Sequence, residues 1–170
     1  MLIRDVTETD FEAVAEITNH YIRTTAIHFK YEPVTPDELR EIWVKGRVVY
    51  PYLVLEDEAG AVVGYAKAGK WRERAAYDRT AEVGIYLRHD RQGKGWGTTL
   101  YKELIEACRG RGGRPGMRSL IGGIALPNPA SIRLHEACGF VHVGTFREAG
   151  WKFEKWHDVA FYQRMLEGAA

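Results

Sequence analysis

The feature that most constrains this chain is a crowd of glycines at one place. Nine of its 18 glycines fall between Gly93 and Gly123. The first of them form Gln92-Gly93-Lys94-Gly95-Trp96-Gly97-Thr98. This run follows a strand-like segment, residues 80–87, and opens a helix whose buried stripe is Leu100, Tyr101, Leu104, Ile105 and Cys108. Bare backbone at a helix start lets N–H groups approach an anion, and the helix terminus favours negative charge. A diphosphate is the natural guest. The dinucleotide fingerprint fails because its third glycine would fall at Thr98, and no Gly-Lys-Ser/Thr completes a P-loop. The competing reading is a glycine-rich turn that only packs tightly.

The rest of the chain alternates between the two hydrophobic periods. Phe11, Val14, Ala15, Thr18, Tyr21 and Ile22 recur at helical spacing behind Thr7 as N-cap. Thr35-Pro36-Asp37-Glu38 is a capping box, predicting a second helix to about Val48. Residues 52–56 and 62–68 predict a hairpin, and residues 119–125 an apolar strand. Asn128-Pro129-Ala130-Ser131 starts a short helix ended by Gly139, and residues 141–146 and 156–163 predict a last strand pair. With a short first strand at 2–6, this is a mixed α/β domain with one sheet, expected to span residues 1–170 as a single unit. Residues 110–116 predict a loop. Gly122 and Gly123 lie within a strand, where small residues allow close packing or a bulge.

Composition narrows the partners. The formal charge is +1, so no basic excess points to nucleic acid or to an anionic membrane. The N-terminal residues carry no apolar signal core and no apolar run reaches membrane length, so a cytoplasmic protein is expected. Cys108 and Cys138 make neither a disulfide framework nor zinc spacing. His20, His28, His89, His142 and His157 are scattered, and His135-Glu136 lacks a second histidine at metal spacing, so no metal is expected.

Gln-x-x-Gly-x-Gly after a strand resembles the acetyl-CoA pyrophosphate loop of the GNAT superfamily of N-acetyltransferases. Ala75-Ala76-Tyr77-Asp78, Thr80-Ala81-Glu82, Leu126-Pro127-Asn128, Arg133-Leu134-His135-Glu136-Ala137 and Trp156-His157-Asp158-Val159 resemble its phosphinothricin and methionine sulfone (sulfoximine) acetyltransferase branch. The resemblance runs over about residues 2–166. It implies an α/β (α+β) fold: a single mixed, mostly antiparallel central sheet with a V-shaped splay, flanked by helices. It implies acetyl-CoA as donor, with pantetheine along Ile85, Tyr86 and Leu87. Gln92, Gly93, Lys94, Gly95, Trp96, Gly97 and Thr98 would hold the pyrophosphate, with Asn128 and Ser131 on the cofactor side of the cleft. A homodimer is implied too, with Trp151, Phe153, Trp156, Phe161 and Tyr162 either at its interface or in the core. Residues 110–119 look longer than the branch's pattern.

Acetyl transfer to an amine needs a base, oxyanion donors and a proton for the departing thiolate. The resemblance gives Glu82 the base role, in place of an ordinary strand carboxylate. It places His135 where a proton donor for the thiolate is expected, the competing reading being a packed helix histidine. Backbone near Ile85 is a candidate oxyanion donor. An acetyl-cysteine route through Cys108 or Cys138 is disfavoured, since both lie on apolar faces. Lys70, Arg72 and Arg74 precede the Glu82 strand and suit an anionic acceptor, unless they are simply a solvated charged loop. The resemblance adds Tyr77 and Thr80, with Phe29 and Trp71 as apolar walls and Lys152 closing the cleft. The expected substrate is a small amino acid or analogue such as phosphinothricin, methionine sulfoximine or methionine sulfone. Peptide or protein N-termini, or a non-catalytic acyl-CoA-binding module, are the alternatives.

Overall fold

The helices form where caps and breakers place them. The structure, a computed structural model, describes residues 1–167. A 3₁₀ turn at Glu8–Asp10 leads into α1 (Phe11–Thr24). Before α2 (Pro36–Gly46), Thr35 N–H donates to Glu38 Oε2 at 2.8 Å and Glu38 N–H donates back to Thr35 Oγ1 at 3.2 Å. The helix stops two residues short of the expected end, where Arg47 N–H closes on Trp43 O at 2.8 Å. α3 (Trp96–Ala107) starts at Gly95. α4 (Pro129–Ala137) is capped by Asn128, whose side chain accepts Ser131 N–H at 3.1 Å.

The strands are β1 (Leu2–Asp5), β2 (Tyr52–Glu56), β3 (Val62–Lys70), β4 (Thr80–Leu87), β5 (Ser119–Ala125), β6 (Val141–Lys152) and β7 (Lys155–Met165). They form one sheet in the order β1-β2-β3-β4-β5-β7-β6. Every neighbouring pair is antiparallel except β4 with β5, which α3 connects as a crossover. Apolar alternation sends side chains to both faces. Leu53, Leu55, Val63, Ala81, Val83 and Leu120 pack against Leu100, Leu104 and Ile105 of α3, while Tyr52, Val54 and Tyr65 pack against Phe11, Val14 and Ile22 of α1.

The last hairpin is longer than its predicted strands. The strand expected to end at 146 runs on, and the ladder absorbs Arg147-Glu148-Ala149-Gly150 as an irregularity between Phe146 and Gly150. Glu148 there has φ 51° and donates its N–H to Asp158 Oδ1 at 2.8 Å. The chain instead reverses at Phe153 and Glu154, both with positive φ, as a two-residue hairpin turn requires. Of the aromatic residues in this segment, Trp151, Phe153 and Trp156 are exposed and Tyr162 is buried. The 110–116 loop carries a 3₁₀ turn at Arg111–Gly113, and Arg114 ties it to Asp5 of β1 at 3.0 Å. No helix among the described residues is long and apolar enough to cross a membrane.

Candidate active site

The site lies where the sheet opens. β4 and β5 pair only from Thr80 with Ser119 to Glu82 with Ile121. Beyond Glu82 the two strands keep their outer partners, β3 and β7, and lose each other. The gap floors a cavity of about 540 Å³ that reaches both faces of the sheet. Tyr21 of α1 and Ile27 line it from one face, and Leu134 and His135 of α4 from the other. Ile85, Tyr86 and Leu87 form its β4 wall, and Gly123, Ile124 and Ala125 its β5 wall.

Its far end is the glycine run. Gln92, Gly93, Gly95, Gly97 and Thr98 line the cavity with Asn128 and Ser131. Gly93 and Gly95 have φ of 82° and 76°, and a Cβ at either would meet nothing within 4 Å, so bare backbone faces open space. Gly95 brings no side chain to cap α3, so the first-turn N–H groups of Trp96, Gly97 and Thr98 lack helix acceptors. The chemistry of this cradle fits a diphosphate. Lys94 and Trp96 do not line the cavity. The Lys94 ammonium lies 5.0 Å from the centre of the Trp96 ring, and that ring packs on the core. Gln92 acts sideways: its amide donates to Tyr21 Oη at 2.8 Å, and that hydroxyl donates to Leu87 O at 2.5 Å.

Glu82 stands at the fork, on the α1/α2 face. Its Oε1 lies 3.9 Å from where a Cβ on Gly123 would be. Its side chain is exposed, yet the flanking walls displace enough water to raise its affinity for a proton; Lys67 and Arg72 oppose the rise. It is therefore a stronger base than a surface carboxylate and is held in its charged form by nearby cations.

His135 approaches from the opposite face. Nδ1 lies 2.8 Å from Ser131 O, and Nε2 lies 2.9 Å from Tyr101 Oη. A carbonyl only accepts, so the proton sits on Nδ1 and the phenol donates to Nε2. Burial lowers the imidazole's proton affinity, with the Ser131 carbonyl acting the other way. The sequence expectation was a proton donor. In this arrangement the ring is neutral at physiological pH and its one N–H is spent inside α4. Gly122 makes room for it: a Cβ there would stand 2.4 Å from Nε2.

The predicted acceptor residues divide. Trp71 lies edge-on to Phe161 with centroids 5.8 Å apart, and the Arg72 guanidinium lies 4.8 Å from the Trp71 ring centre. Phe29 lies on Gly150, where a Cβ would fall 2.4 Å from its ring, and 6.2 Å from the His157 ring. Thr80 opens β4, pairing with Ser119. Arg74 and Tyr77 are exposed on the β3–β4 connection, and they, like Phe29, Trp71, Arg72 and Thr80, lie outside the cavity lining. Lys152 is the correction. It is 2% exposed, and its ammonium donates to Ile22 O at 2.5 Å and His28 O at 2.6 Å. It straps the C-terminal hairpin to the end of α1 and the following loop, and offers nothing to a substrate.

Both cysteines are buried. Burial pushes the Cys108 thiol up to about 12 and also raises Cys138, which removes the thiolate that an acetyl-cysteine route needs.

A sheet parted beside a glycine-rich helix start, with a carboxylate at the fork, suits an acyltransferase with a diphosphate-bearing donor. The Acetyltransferase (GNAT) domain family matches residues 3–161, and the chain belongs to it. It is 44% identical to phosphinothricin N-acetyltransferase of Streptomyces viridochromogenes over 97% of this chain and 87% of that one. It is 37% identical to L-methionine sulfoximine/L-methionine sulfone acetyltransferase of Salmonella typhimurium, over 98% and 95%. A phosphinothricin acetyltransferase from Sinorhizobium meliloti, solved in complex with acetyl-CoA, superposes with a TM-score of 0.88 at 35% identity, over 99% and 94%.

Three polar residues at the site went unread in sequence. Tyr21 and Tyr101 were placed correctly on buried stripes, but periodicity reports the face of a ring and not the partner of its hydroxyl. Lys67 had a signal: a lysine between alanines in the middle of an apolar strand.

Proposed function

We propose that this acyltransferase moves the acetyl group of acetyl-CoA onto the α-amino group of a small amino acid or analogue, of the kind of phosphinothricin, methionine sulfoximine or methionine sulfone, in a ternary complex. The observation that carries the reading is Glu82 at the fork, a strengthened base beside two cations and an open cavity. The named activities of the relatives support the acceptor class. When bound, acetyl-CoA supplies the acetyl group as a thioester. The N–H groups of the α3 start and the glycine run would hold its diphosphate, with Asn128 and Ser131 on the cofactor side of the cleft. Glu82 takes the proton of the acceptor's ammonium and holds it, leaving a free amine. Backbone N–H groups of β4 beyond Glu82, released from β5, would stabilise the oxyanion, and as it collapses the proton that the nitrogen sheds passes to the departing thiolate, giving the amide and the free thiol. His135 is the neutral wall of the thioester end and orients α4. Arg72 stands at the mouth for an anionic acceptor, and Phe29 and Trp71 limit its size; Arg74, Tyr77 and Thr80 border this side.

We further read the chain as one domain working as a homodimer in a reducing cytoplasm. Val141, Val143, Phe146 and Trp151 leave an apolar stretch exposed on the edge strand β6, which a second copy would cover. A sedimentation mass of one chain would contradict that.

The test of function is thiol release from acetyl-CoA with methionine sulfone, methionine sulfoximine, phosphinothricin, polyamines and peptides. Turnover with the amino acids is expected. Turnover with peptides alone, or acetyl-CoA binding with no turnover on any acceptor, contradicts the reading.

A further inference from the structure

Lys67 and Glu82 occupy one diagonal of a square on β3 and β4, and glycines occupy the other. Lys67 pairs with Gly84, and Gly69 pairs with Glu82. Strand alternation turns both charged side chains to the α1/α2 face. Diagonal neighbours in an antiparallel ladder stand about 7–8 Å apart at the backbone. The glycines leave the ground between them bare. A Cβ on Gly69 would meet nothing within 4 Å, and one on Gly84 only the Tyr86 ring at 3.8 Å. Glu82 and Lys67 feel each other's charge, but no ion pair joins them, and Lys67 makes no hydrogen bond among the described residues. Its nearest aromatic partner is Tyr52, with the ammonium 5.8 Å from the ring centre.

A half-buried ammonium without a hydrogen-bond acceptor among the described residues carries a desolvation cost that an anion would relieve. Its charged neighbours are mixed: Glu82 attracts it and Lys30 repels it. Arg72 stands on the next connection, and Lys30 comes from the loop after α1, where His28 is held neutral. Among the described residues, Glu82 is the carboxylate whose charge acts on it. An α-amino acid is itself a close pair of opposite charges. Its ammonium belongs on Glu82, which must deprotonate it, and its carboxylate is one carbon away.

We propose that Lys67 is a specificity residue that binds the α-carboxylate of the acceptor, so that Glu82 and Lys67 together select a free α-amino acid over an amine or an internal peptide residue. This rests on the amino-acid reading above. Arg72 and its neighbours are then left for the far, side-chain end of the acceptor.

The experiment compares methionine sulfone with its carboxamide as acceptors at saturating acetyl-CoA, in the wild type, Lys67→Met and Lys67→Arg. Melting curves and acetyl-CoA affinity verify folding of each variant. The wild type should prefer the acid over the amide by about tenfold or more in kcat/KM, the scale of one charged hydrogen bond. Lys67→Met should pull that ratio toward one through the KM of the acid, and Lys67→Arg should keep most of it. A wild type without the preference, or a Lys67→Met that keeps the wild-type ratio, overturns the proposal. A wild type that binds acetyl-CoA and acetylates neither compound overturns the amino-acid reading itself, a result distinct from a lost preference.

Discussion

Gly122 and Gly123 show how much rests on single residues at this site. They are adjacent on β5 and so face opposite sides of the sheet. Gly122 admits the His135 ring on the α3/α4 face, and Gly123 leaves space beside Glu82 on the other. Gly122→Ala should therefore act through His135. The ring is held among Tyr101, Phe140 and Tyr162, with centroids 5.0, 5.1 and 6.0 Å away, so yielding to the methyl group means giving up these contacts. The substitution should destabilise by about 1–3 kcal/mol, as overpacking does. Combining it with His135→Ala should recover part of that loss in denaturant melts, because the two changes share one volume. Strictly additive losses would show that the ring is not what the methyl group meets. Strand periodicity predicted these glycines as a place of close packing. What it could not give was the identity of the packed group, because His135 arrives from a helix 13 positions further on.

At the scale of elements, the loop between α1 and α2 matters most. Its sequence, Ile27-His28-Phe29, suggested only an apolar wall. The structure makes it a strapped segment. Lys152 holds its His28 carbonyl, Tyr31 Oη donates to Trp151 O, and Phe29 lies on Gly150. All three contacts come from the C-terminal hairpin, more than 100 residues away, which is why local pattern was silent about them. The His28 ring is part of the device. Its Nδ1 accepts Lys30 N–H at 3.2 Å, and burial, with the ammonium groups of Lys67, Lys152 and Lys30, pushes it down to about 4. The folded-state value lies below the unfolded one near 6.5, so between these values the unfolded chain binds the extra proton. Stability should fall as pH drops from about 6.5 to about 4, by at most about 1.4 kcal/mol per unit and by less where water screens the ring. In His28→Gln this part of the pH dependence should disappear from urea melts taken across that window. Unchanged slopes would mean that His28 titrates freely.

The whole molecule divides its labour across the sheet. The glycine run at a helix start was legible because glycines before a helix leave a mark in sequence, whereas the splay came from the resemblance. The resemblance supplied the order of the segments and the fold. Neither could show that Glu82 and His135 work from opposite faces, because that depends on where β4 leaves β5. The splay frees the facing backbone of both strands and leaves Glu82, among the described residues, as the carboxylate at the fork. The account as a whole therefore stands on Glu82 removing the acceptor's proton.

The direct measurement is kcat/KM for methionine sulfone against pH, in the wild type and Glu82→Gln. Burial raises the Glu82 pKa, and Lys67 and Arg72 oppose it. The wild-type rate should rise as the carboxylate ionises, above the usual carboxylate range, and then level off. The variant can use only acceptor that is already neutral, so its deficit should be about 10²-fold or more at pH 7 and should shrink steadily toward pH 9.5. A deficit of the same size at every pH would contradict the account.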